Sequence, residues 1–120
     1  DRRVFVTEYP PDQAALAKVV GAGEEAVAAR FELVIDGIEI ANGYDELADP
    51  EELRRRVAED NRERSSRSKP ERAADPYLLE AMAAGLPQCA GVAVGLDRLF
   101  ALALGFESIG EVMAFPTDRA

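Results

Sequence analysis

The sequence predicts an α+β fold in which an antiparallel β-sheet is flanked by helices. Asp36-Gly37 lies between two runs of alternating apolar residues, a strong short-range indication of a β-hairpin. Runs at 3–9 and 89–95 have the composition or alternation typical of strands. Asp49-Pro50 and Asp75-Pro76 are typical helix starts. The mixture of hairpin, strands and capped helices therefore predicts a sheet covered by helices.

Composition excludes several classes of protein. The 120 residues, 48% hydrophobic, predict one domain with a modest core. The sequence contains no run long enough to span a bilayer and no signal-peptide pattern at its start. A single cysteine, Cys89, which we expect to be buried, excludes an internal disulfide framework and fits a cytoplasmic protein. The absence of histidine excludes imidazole zinc sites, and the net charge of −9 argues against unaided, non-specific nucleic-acid binding.

The first thirty residues predict an edge strand and irregular connections. Arg3–Tyr9 is rich in β-branched and aromatic residues and should end at Pro10-Pro11. The segment 11–18 is expected to form a short helix. Ala15 and Leu16 of this helix, and Val19 just after it, are the residues expected to pack inward. Residues 24–29 form either a helical turn or the lead-in to the hairpin.

The hairpin around Asp36-Gly37 predicts a site for a cation. A type I′ turn would pair Ile35 with Ile38, Val34 with Glu39, Leu33 with Ile40 and Glu32 with Ala41. The core face would then contain Phe31, Leu33, Ile35, Ile38 and Ile40. Glu32 and Glu39 would share the other face as a diagonal pair roughly 7 Å apart. Such carboxylates repel unless a cation lies between them, as Mg²⁺ does beside a phosphate; the alternative is a half-exposed hairpin with two solvated glutamates.

The region after the hairpin predicts a turn and then a charged helix. Tyr44, Asp45 and Glu46 are expected to turn towards whatever the carboxylate face binds. The helix that follows Asp49 offers pairs at four-residue spacing, with a connector at 65–70. These pairs are Glu51–Arg55, Glu52–Arg56, Arg55–Glu59, Arg56–Asp60 and Asp60–Arg64. We favour a solvated surface helix over a basic docking surface, although eight of the fourteen Lys and Arg residues lie between Arg54 and Arg72.

The last strand has one face with almost no side chain. Gly91, Ala93 and Gly95 alternate with larger apolar residues, so this face suits either close approach of a flat ligand or tight packing. Asp97-Arg98 then begins a helix with Leu99, Leu102 and Ala103 expected inward. Arg98 would reach back over a ligand on the bare strand. The segment 106–120 is expected to close the core through Ile109, Val112, Met113 and Phe115.

Two segments resemble known enzymes. Gly91-Val-Ala-Val-Gly-Leu-Asp-Arg-Leu99 resembles motif 3 of the class II aminoacyl-tRNA synthetases, and 31–46 resembles the strand pair that precedes it in lysyl-tRNA synthetases. The spacing between them also fits, so the resemblance covers essentially the whole chain. It is closest to the lysyl-synthetase paralogues that act as elongation factor P–(R)-β-lysine ligases. This finer match lies in Gly37-Ile-Glu-Ile-Ala-Asn-Gly43, Glu59-Asp-Asn-Arg62 and Gln88-Cys-Ala-Gly-Val-Ala93.

The resemblance implies an activity. These paralogues use ATP to activate a lysine, preferring the (R)-β isomer, and transfer it to a lysine side chain of elongation factor P. They lack an anticodon-binding domain, and a homodimer is expected for the full-length protein. A true lysyl-tRNA synthetase, with tRNA as acceptor, is one alternative, and a non-catalytic synthetase-like binding module is another. The intact acid pair and Arg98 argue against the binding module.

The resemblance also implies a role for particular residues. Glu32 and Glu39 would hold Mg²⁺ and the ATP phosphates, while Arg98 would stack on adenine and contact the triphosphate, with Gly95 beside it. The residues that would contact the lysine are Asn42 near its carboxylate, Tyr44 along its stem, Glu46 at its ε-ammonium, and Ala93. True lysyl-tRNA synthetases usually have glycine in place of Ala93.

The resemblance implies that residues 1–120 are the C-terminal portion of a catalytic domain. Motif 3 is included, whereas motifs 1 and 2, with an arginine for the α-phosphate, belong upstream. We therefore expect a polypeptide of these residues alone to lack ligase activity. It should also expose a sheet edge and self-associate.

Overall fold

A computed structural model describes residues 2–117 and confirms the α+β class. The strands are β1 (Arg3–Tyr9), β2 (Val19–Val20), β3 (Val27–Ile35), β4 (Ile38–Asp45) and β5 (Ala90–Val94). The helices are α1 (Pro50–Ser66), α2 (Pro76–Ala83) and α3 (Leu96–Leu104), with 3₁₀ turns at Pro11–Gln13, Gly23–Glu25 and Ile109–Glu111. All strand pairs are antiparallel, in the order β1-β3-β4-β5, and the short β2 also pairs with β3.

The hairpin of β3 and β4 forms as predicted at its turn and departs from the prediction further along. Asp36 and Gly37 have φ angles of 50° and 84°, as a type I′ turn requires. Ile35–Ile38 and Val34–Glu39 pair as predicted. The register then shifts, so that Leu33 faces Ala41 and Glu32 faces Asn42. The predicted pairs Leu33–Ile40 and Glu32–Ala41 are therefore wrong, because a β-bulge adds one residue to β4.

The bulge decides which side chains share a face of the sheet. Glu39 faces Val34 and Asn42 faces Glu32, and these two partners are alternate residues of β3. Glu39 and Asn42 therefore lie on one side, although residues three apart in a regular strand lie on opposite sides. Tyr44, two residues beyond Asn42, follows on that side. We call this side the site face; it contains Glu32, Glu39, Asn42 and Tyr44 of the hairpin with Gly91 and Ala93 of β5.

The opposite face of the sheet is apolar and only partly covered. The rings of Phe5 and Phe31 lie with centroids 6.0 Å apart, and the Phe31 ring covers Gly43 so closely that a Cβ there would overlap it. Ile40 is buried as predicted, whereas Ile38 is 43% exposed. The buried apolar residues are Ala14, Ala17, Ala28, Ile40, Ala41, Leu53, Met82 and Ala101. Among the described residues, no large side chain is fully buried.

The predicted helix at 11–18 is wrong beyond its first turn. Only Pro11–Gln13 is helical, because Ala15 has a φ of 50°, which interrupts a right-handed helix. The inward residues are Ala14 and Ala17. The predicted inward residues Ala15, Leu16 and Val19 are exposed instead.

Helix α1 begins as predicted, since the Asp49 carboxylate accepts hydrogen bonds from two backbone amides of the first turn. It continues to Ser66, into the predicted connector. Of the predicted pairs, Glu52–Arg56 and Arg55–Glu59 form. The other three do not: Glu51 pairs with Arg54, Asp60 has no ion pair among the described residues, and Arg64 donates to the Pro70 carbonyl.

The C-terminal third differs from the prediction in its packing. Helix α2 begins at the predicted Asp75 cap, and α3 ends at Gly105, whose φ is 75°. Ala101 of α3 is buried, whereas Ala103 is exposed. Ile109 and Phe115 are 45% and 80% exposed, so the prediction that they close the core is wrong, whereas Val112 and Met113 are partly buried. Residues 118–120 of that segment lie outside the described residues. Cys89 is exposed rather than buried.

Candidate active site

The two glutamates of the site face lie diagonally across the hairpin. Glu39 faces Val34, and Glu32 is two residues from Val34 on the same strand. The Glu32 side chain is 18% exposed and that of Glu39 is 45% exposed. Within residues 2–117 no group of three or more His, Cys, Asp or Glu residues is placed to hold a metal. A hard cation bound here would therefore take its remaining oxygen ligands from phosphates and water.

The bare side of β5 lies on the site face. Ala93 faces Asn42 and Gly91 faces Tyr44, which directs Val92 and Val94 to the opposite side. A Cβ on Gly91 would lie 2.7 Å from Oε1 of Glu46. Gly91 therefore leaves room for the Glu46 carboxylate in its present position, and a side chain here would displace that carboxylate. This close contact corresponds to the packing alternative for that glycine.

Arg98 folds back over the end of this strand. Its guanidinium Nη1 donates to the backbone carbonyl of Glu39 at 2.9 Å and lies 3.8 Å from Oε2 of the same residue. A Cβ on Gly95 would lie 3.3 Å from Cδ of Arg98, so the glycine leaves room for the arginine stem. The side chain remains 51% exposed, and its planar guanidinium is accessible beside an acid of the pair.

The other end of the site face presents hydrogen-bond acceptors that lack donors. Asn42 Nδ2 donates to the Tyr44 hydroxyl at 3.1 Å, while Asn42 Oδ1 is buried with no partner among the described residues. The Glu46 carboxylate forms no ion pair within that same part of the chain. Asp45, expected here, instead pairs with Lys18 at 2.7 Å. A buried amide oxygen and a partly buried carboxylate, both without donors among the described residues, fit a cationic ligand such as an ammonium group.

Sequence reasoning missed two residues of this region, Tyr9 and Arg30. The Arg30 guanidinium carbon lies 4.5 Å from the Tyr9 ring centroid and 5.7 Å from that of Tyr44. Arg30 also forms an ion pair with Glu32 and donates to the Gln13 carbonyl at 2.8 Å. Its position two residues before Glu32 on one strand face was the available indication.

The pKa of Tyr9 reflects this environment. Burial raises the pKa of the phenol above its ordinary value, and a hydrogen bond and the negative charge of Glu32 raise it further. The Arg30 guanidinium opposes this shift, and the charge of Glu39 adds to it. Tyr9 therefore stays neutral at physiological pH, and its position extends the carboxylate-lined region to the end of β1.

Comparisons with known proteins identify the family. The model for tRNA synthetases class II (D, K and N) matches residues 1–119. The chain belongs to this family. The five-stranded antiparallel sheet is accordingly part of a class II synthetase core.

Curated relatives give a more specific likeness. The chain is 51% identical over all its 120 residues to an elongation factor P–(R)-β-lysine ligase of Klebsiella pneumoniae. It is 48% identical, again over its full length, to a protein of the same name from Salmonella dublin. It spans 37% of the length of each of these relatives. No helix within residues 2–117 is long and apolar enough to cross a membrane.

Proposed function

We propose that residues 1–120 are the C-terminal portion of a catalytic domain that activates lysine or (R)-β-lysine with ATP. The activated amino acid is transferred to a lysine side chain of elongation factor P. The observation that carries this proposal is the combination, on one sheet face, of an acid pair, an exposed arginine and acceptors without donors. The relatives named as ligases for this acceptor support the choice of substrate. A translation factor as acceptor implies a cytoplasmic enzyme.

The nucleotide end of the proposed site lies where β4 and β5 meet α3. Glu32 and Glu39 would hold Mg²⁺, which when bound neutralises phosphate charge. Arg98 would stack on adenine and contact the triphosphate, and Gly95 leaves space for it. Glu39 is also a catalytic residue in this proposal, as is Arg98, because both would lie against the reacting phosphates.

The amino-acid end lies around Asn42, Tyr44 and Glu46. The Glu46 carboxylate would accept from the ε-ammonium of lysine, and the Tyr44 ring would pack on the aliphatic stem. Asn42 would contact the substrate near its carboxylate. The buried Oδ1 of Asn42 has no donor in the part of the chain that the structure describes. Ala93 faces Asn42 across the strands, so its methyl group narrows this end and would bear on the choice of lysine isomer.

The proposed reaction needs no nucleophilic side chain. A carboxylate oxygen of the amino acid attacks the α-phosphorus of ATP, and the bond to pyrophosphate breaks. The amine of the acceptor lysine then attacks the activated carbonyl, AMP leaves, and an amide forms. Positive charge near the phosphates lowers the barrier to the first step. Arg98 would supply such charge here, and the resemblance implies a further arginine in the upstream part of the protein. The full-length protein is expected to be a homodimer.

The test is transfer of labelled lysine by the complete gene product to two acceptors. Elongation factor P and tRNA-Lys are offered separately, each with ATP, Mg²⁺ and either lysine isomer. We expect label on the protein acceptor, with (R)-β-lysine preferred. Label on tRNA alone would instead support the true lysyl-tRNA synthetase. Label on neither acceptor would favour a non-catalytic binding module.

A further inference from the structure

Arg30 occupies a position that connects three parts of the candidate site. Its side chain is 16% exposed and lies between the rings of Tyr9 and Tyr44. It forms an ion pair with Oε1 of Glu32 and donates to the backbone carbonyl of Gln13. Its Nε is buried and has no hydrogen-bond partner within residues 2–117. The guanidinium thus contacts the loop after β1, an acid of the nucleotide end and an aromatic ring of the amino-acid end.

The chemistry of this arrangement requires arginine. A planar guanidinium stacks on aromatic faces and donates in its own plane at the same time. By binding Oε1 of Glu32, while the Tyr9 hydroxyl is hydrogen-bonded to the same carboxylate, it fixes the orientation of the Glu32 side chain. By lying beside the Tyr44 ring, it restricts that ring as well. A lysine ammonium has the same charge but neither the plane nor the fork of donors.

We propose that Arg30 is a positioning residue that orients Glu32 for the metal–phosphate end and Tyr44 for the lysine end of the site. This inference rests on the proposed function. It assigns Arg30 no contact with substrate. Groups that orient metal ligands typically change metal affinity or activity by roughly 10- to 100-fold when they are removed.

Arg56 of α1 provides a matched control, because it contacts the same loop. Its side chain is 15% exposed, pairs with Glu52, and donates to the carbonyls of Ala15 and Ala17. It therefore resembles Arg30 in burial, ion pairing and loop contacts, but it approaches the loop from α1. A purely structural role for Arg30 predicts similar behaviour for Arg30→Lys and Arg56→Lys.

The experiment uses the complete gene product and measures binding of ATP as Mg²⁺ is varied, by titration calorimetry without lysine, beside ATP–pyrophosphate exchange over the same Mg²⁺ range. In Arg30→Lys we expect the Mg²⁺ concentration at half-maximal rate to rise roughly tenfold and the KM for lysine to rise with it. In Arg56→Lys we expect a lower unfolding midpoint and the same Mg²⁺ dependence as in the unsubstituted protein. If Arg30→Lys does not fold, Tyr9→Leu decides, since it removes one ring of the stack and should raise the half-maximal concentration in the same direction.

Two results separate failure of this inference from failure of the proposed function. Exchange by the unsubstituted protein, together with an unchanged Mg²⁺ dependence in Arg30→Lys, would overturn the positioning role alone. An equal shift in Arg56→Lys would do the same, because the effect would then be general loosening of the loop. Absence of exchange in the unsubstituted protein with either lysine isomer would refute the proposed function and this inference together.

Discussion

Single residues of the site face favour one kind of ligand for the proposed site. The buried Oδ1 of Asn42 and the carboxylate of Glu46 are acceptors with no donors among the described residues. Leaving a buried acceptor such as Asn42 Oδ1 without a hydrogen bond costs about 1–3 kcal/mol. A cationic substrate that satisfies these acceptors would recover this cost on binding. Their arrangement therefore favours an amine ligand at this end of the site.

Glu46→Gln tests this assignment of the amino-acid end. The amide keeps the shape of the side chain and removes the charge, so a hydrogen bond to an ammonium loses its charged partner. We expect the KM for lysine to rise roughly 10- to 100-fold, with little change in the KM for ATP. Steady-state pyrophosphate exchange with the complete gene product measures both constants. Glu59→Gln, at an exposed acid of α1, is the control and should change neither.

At the scale of elements, the bulge in β4 determines the composition of the site. The hydrophobic alternation and the Asp36-Gly37 turn were sufficient to predict the hairpin and its first two pairs. They did not predict the bulge. Ile40 and Ala41 are both apolar and both buried, whereas a regular strand would place only one of them on the core side, so the alternation alone could not locate the extra residue. In the regular register Asn42 would lie on the side opposite the acids. The resemblance implies that Asn42 contacts the substrate, and the bulge places Asn42 on the side of the sheet that this role needs.

The stacking of Tyr9, Arg30 and Tyr44 could not be predicted from the sequence for a different reason. Tyr9 and Arg30 are 21 positions apart in the sequence, and the contact depends on a register shift between β1 and β3. Local patterns specify strands and turns, whereas this contact depends on where two strand ends meet. The acid pair and Arg98 were easier to place, since a single turn and a single strand–helix junction position them.

Two glycine substitutions in the hairpin test the observed packing. Gly37 has a positive φ with open space around it, so Gly37→Ala should lower the free energy of unfolding by about 1 kcal/mol through backbone strain alone. Gly43→Ala would overlap the Phe31 ring and should cost more, about 1–3 kcal/mol. Urea unfolding measures both. In a background of Phe31→Leu, the cost of Gly43→Ala should fall and the cost of Gly37→Ala should not change. If the two glycine substitutions cost the same and Phe31→Leu alters neither cost, the observed packing is contradicted.

Ion pairs of Glu52 within helix α1 make the stability of this helix depend on pH. Hydrogen bonds from Arg55 and Arg56 lower the pKa of Glu52 from 4.5 to about 2. Because the folded state has the lower pKa, the stabilisation is complete above pH 4.5 and is lost as the pH falls towards 2. At pH 7, Glu52→Gln should lower the free energy of unfolding by about 1 kcal/mol, since the pair is partly exposed.

Denaturant unfolding at several pH values measures this contribution. The difference between Glu52→Gln and the unsubstituted protein should shrink as the pH falls below 4.5. Glu51→Gln is the control, because Glu51 is 78% exposed and pairs only at the surface. A difference for Glu52→Gln that stays constant down to pH 3 would show that the pair with Arg56 does not stabilise the helix.

At the scale of the whole molecule, the core is small for the apolar surface around it. Phe5, Val92 and Phe100 are 64%, 58% and 54% exposed, and both edge strands, β1 and β5, are mostly exposed. Composition and length predicted a modest core, but not that the face opposite the site would remain largely open. That face is typical of a surface which packs against further protein.

We predict that a polypeptide of residues 1–120 self-associates and shows no pyrophosphate exchange. The exposed edge of β5 and its valines favour pairing between copies, so Val92→Lys should reduce association. Tyr77→Lys, at an 80% exposed position on α2, should not. Sedimentation velocity at increasing concentration measures both variants. A monomeric polypeptide at high concentration, or one that catalyses exchange, would contradict this prediction.

Activation of a lysine with ATP is the function that we propose for the site face. Pyrophosphate exchange by the complete gene product, with α-lysine and (R)-β-lysine offered in parallel, measures this step without depending on the acceptor. We predict exchange with a preference for the β isomer and loss of exchange in Glu39→Gln. Preference for α-lysine would favour a tRNA synthetase, and no exchange with either isomer would contradict the proposed function.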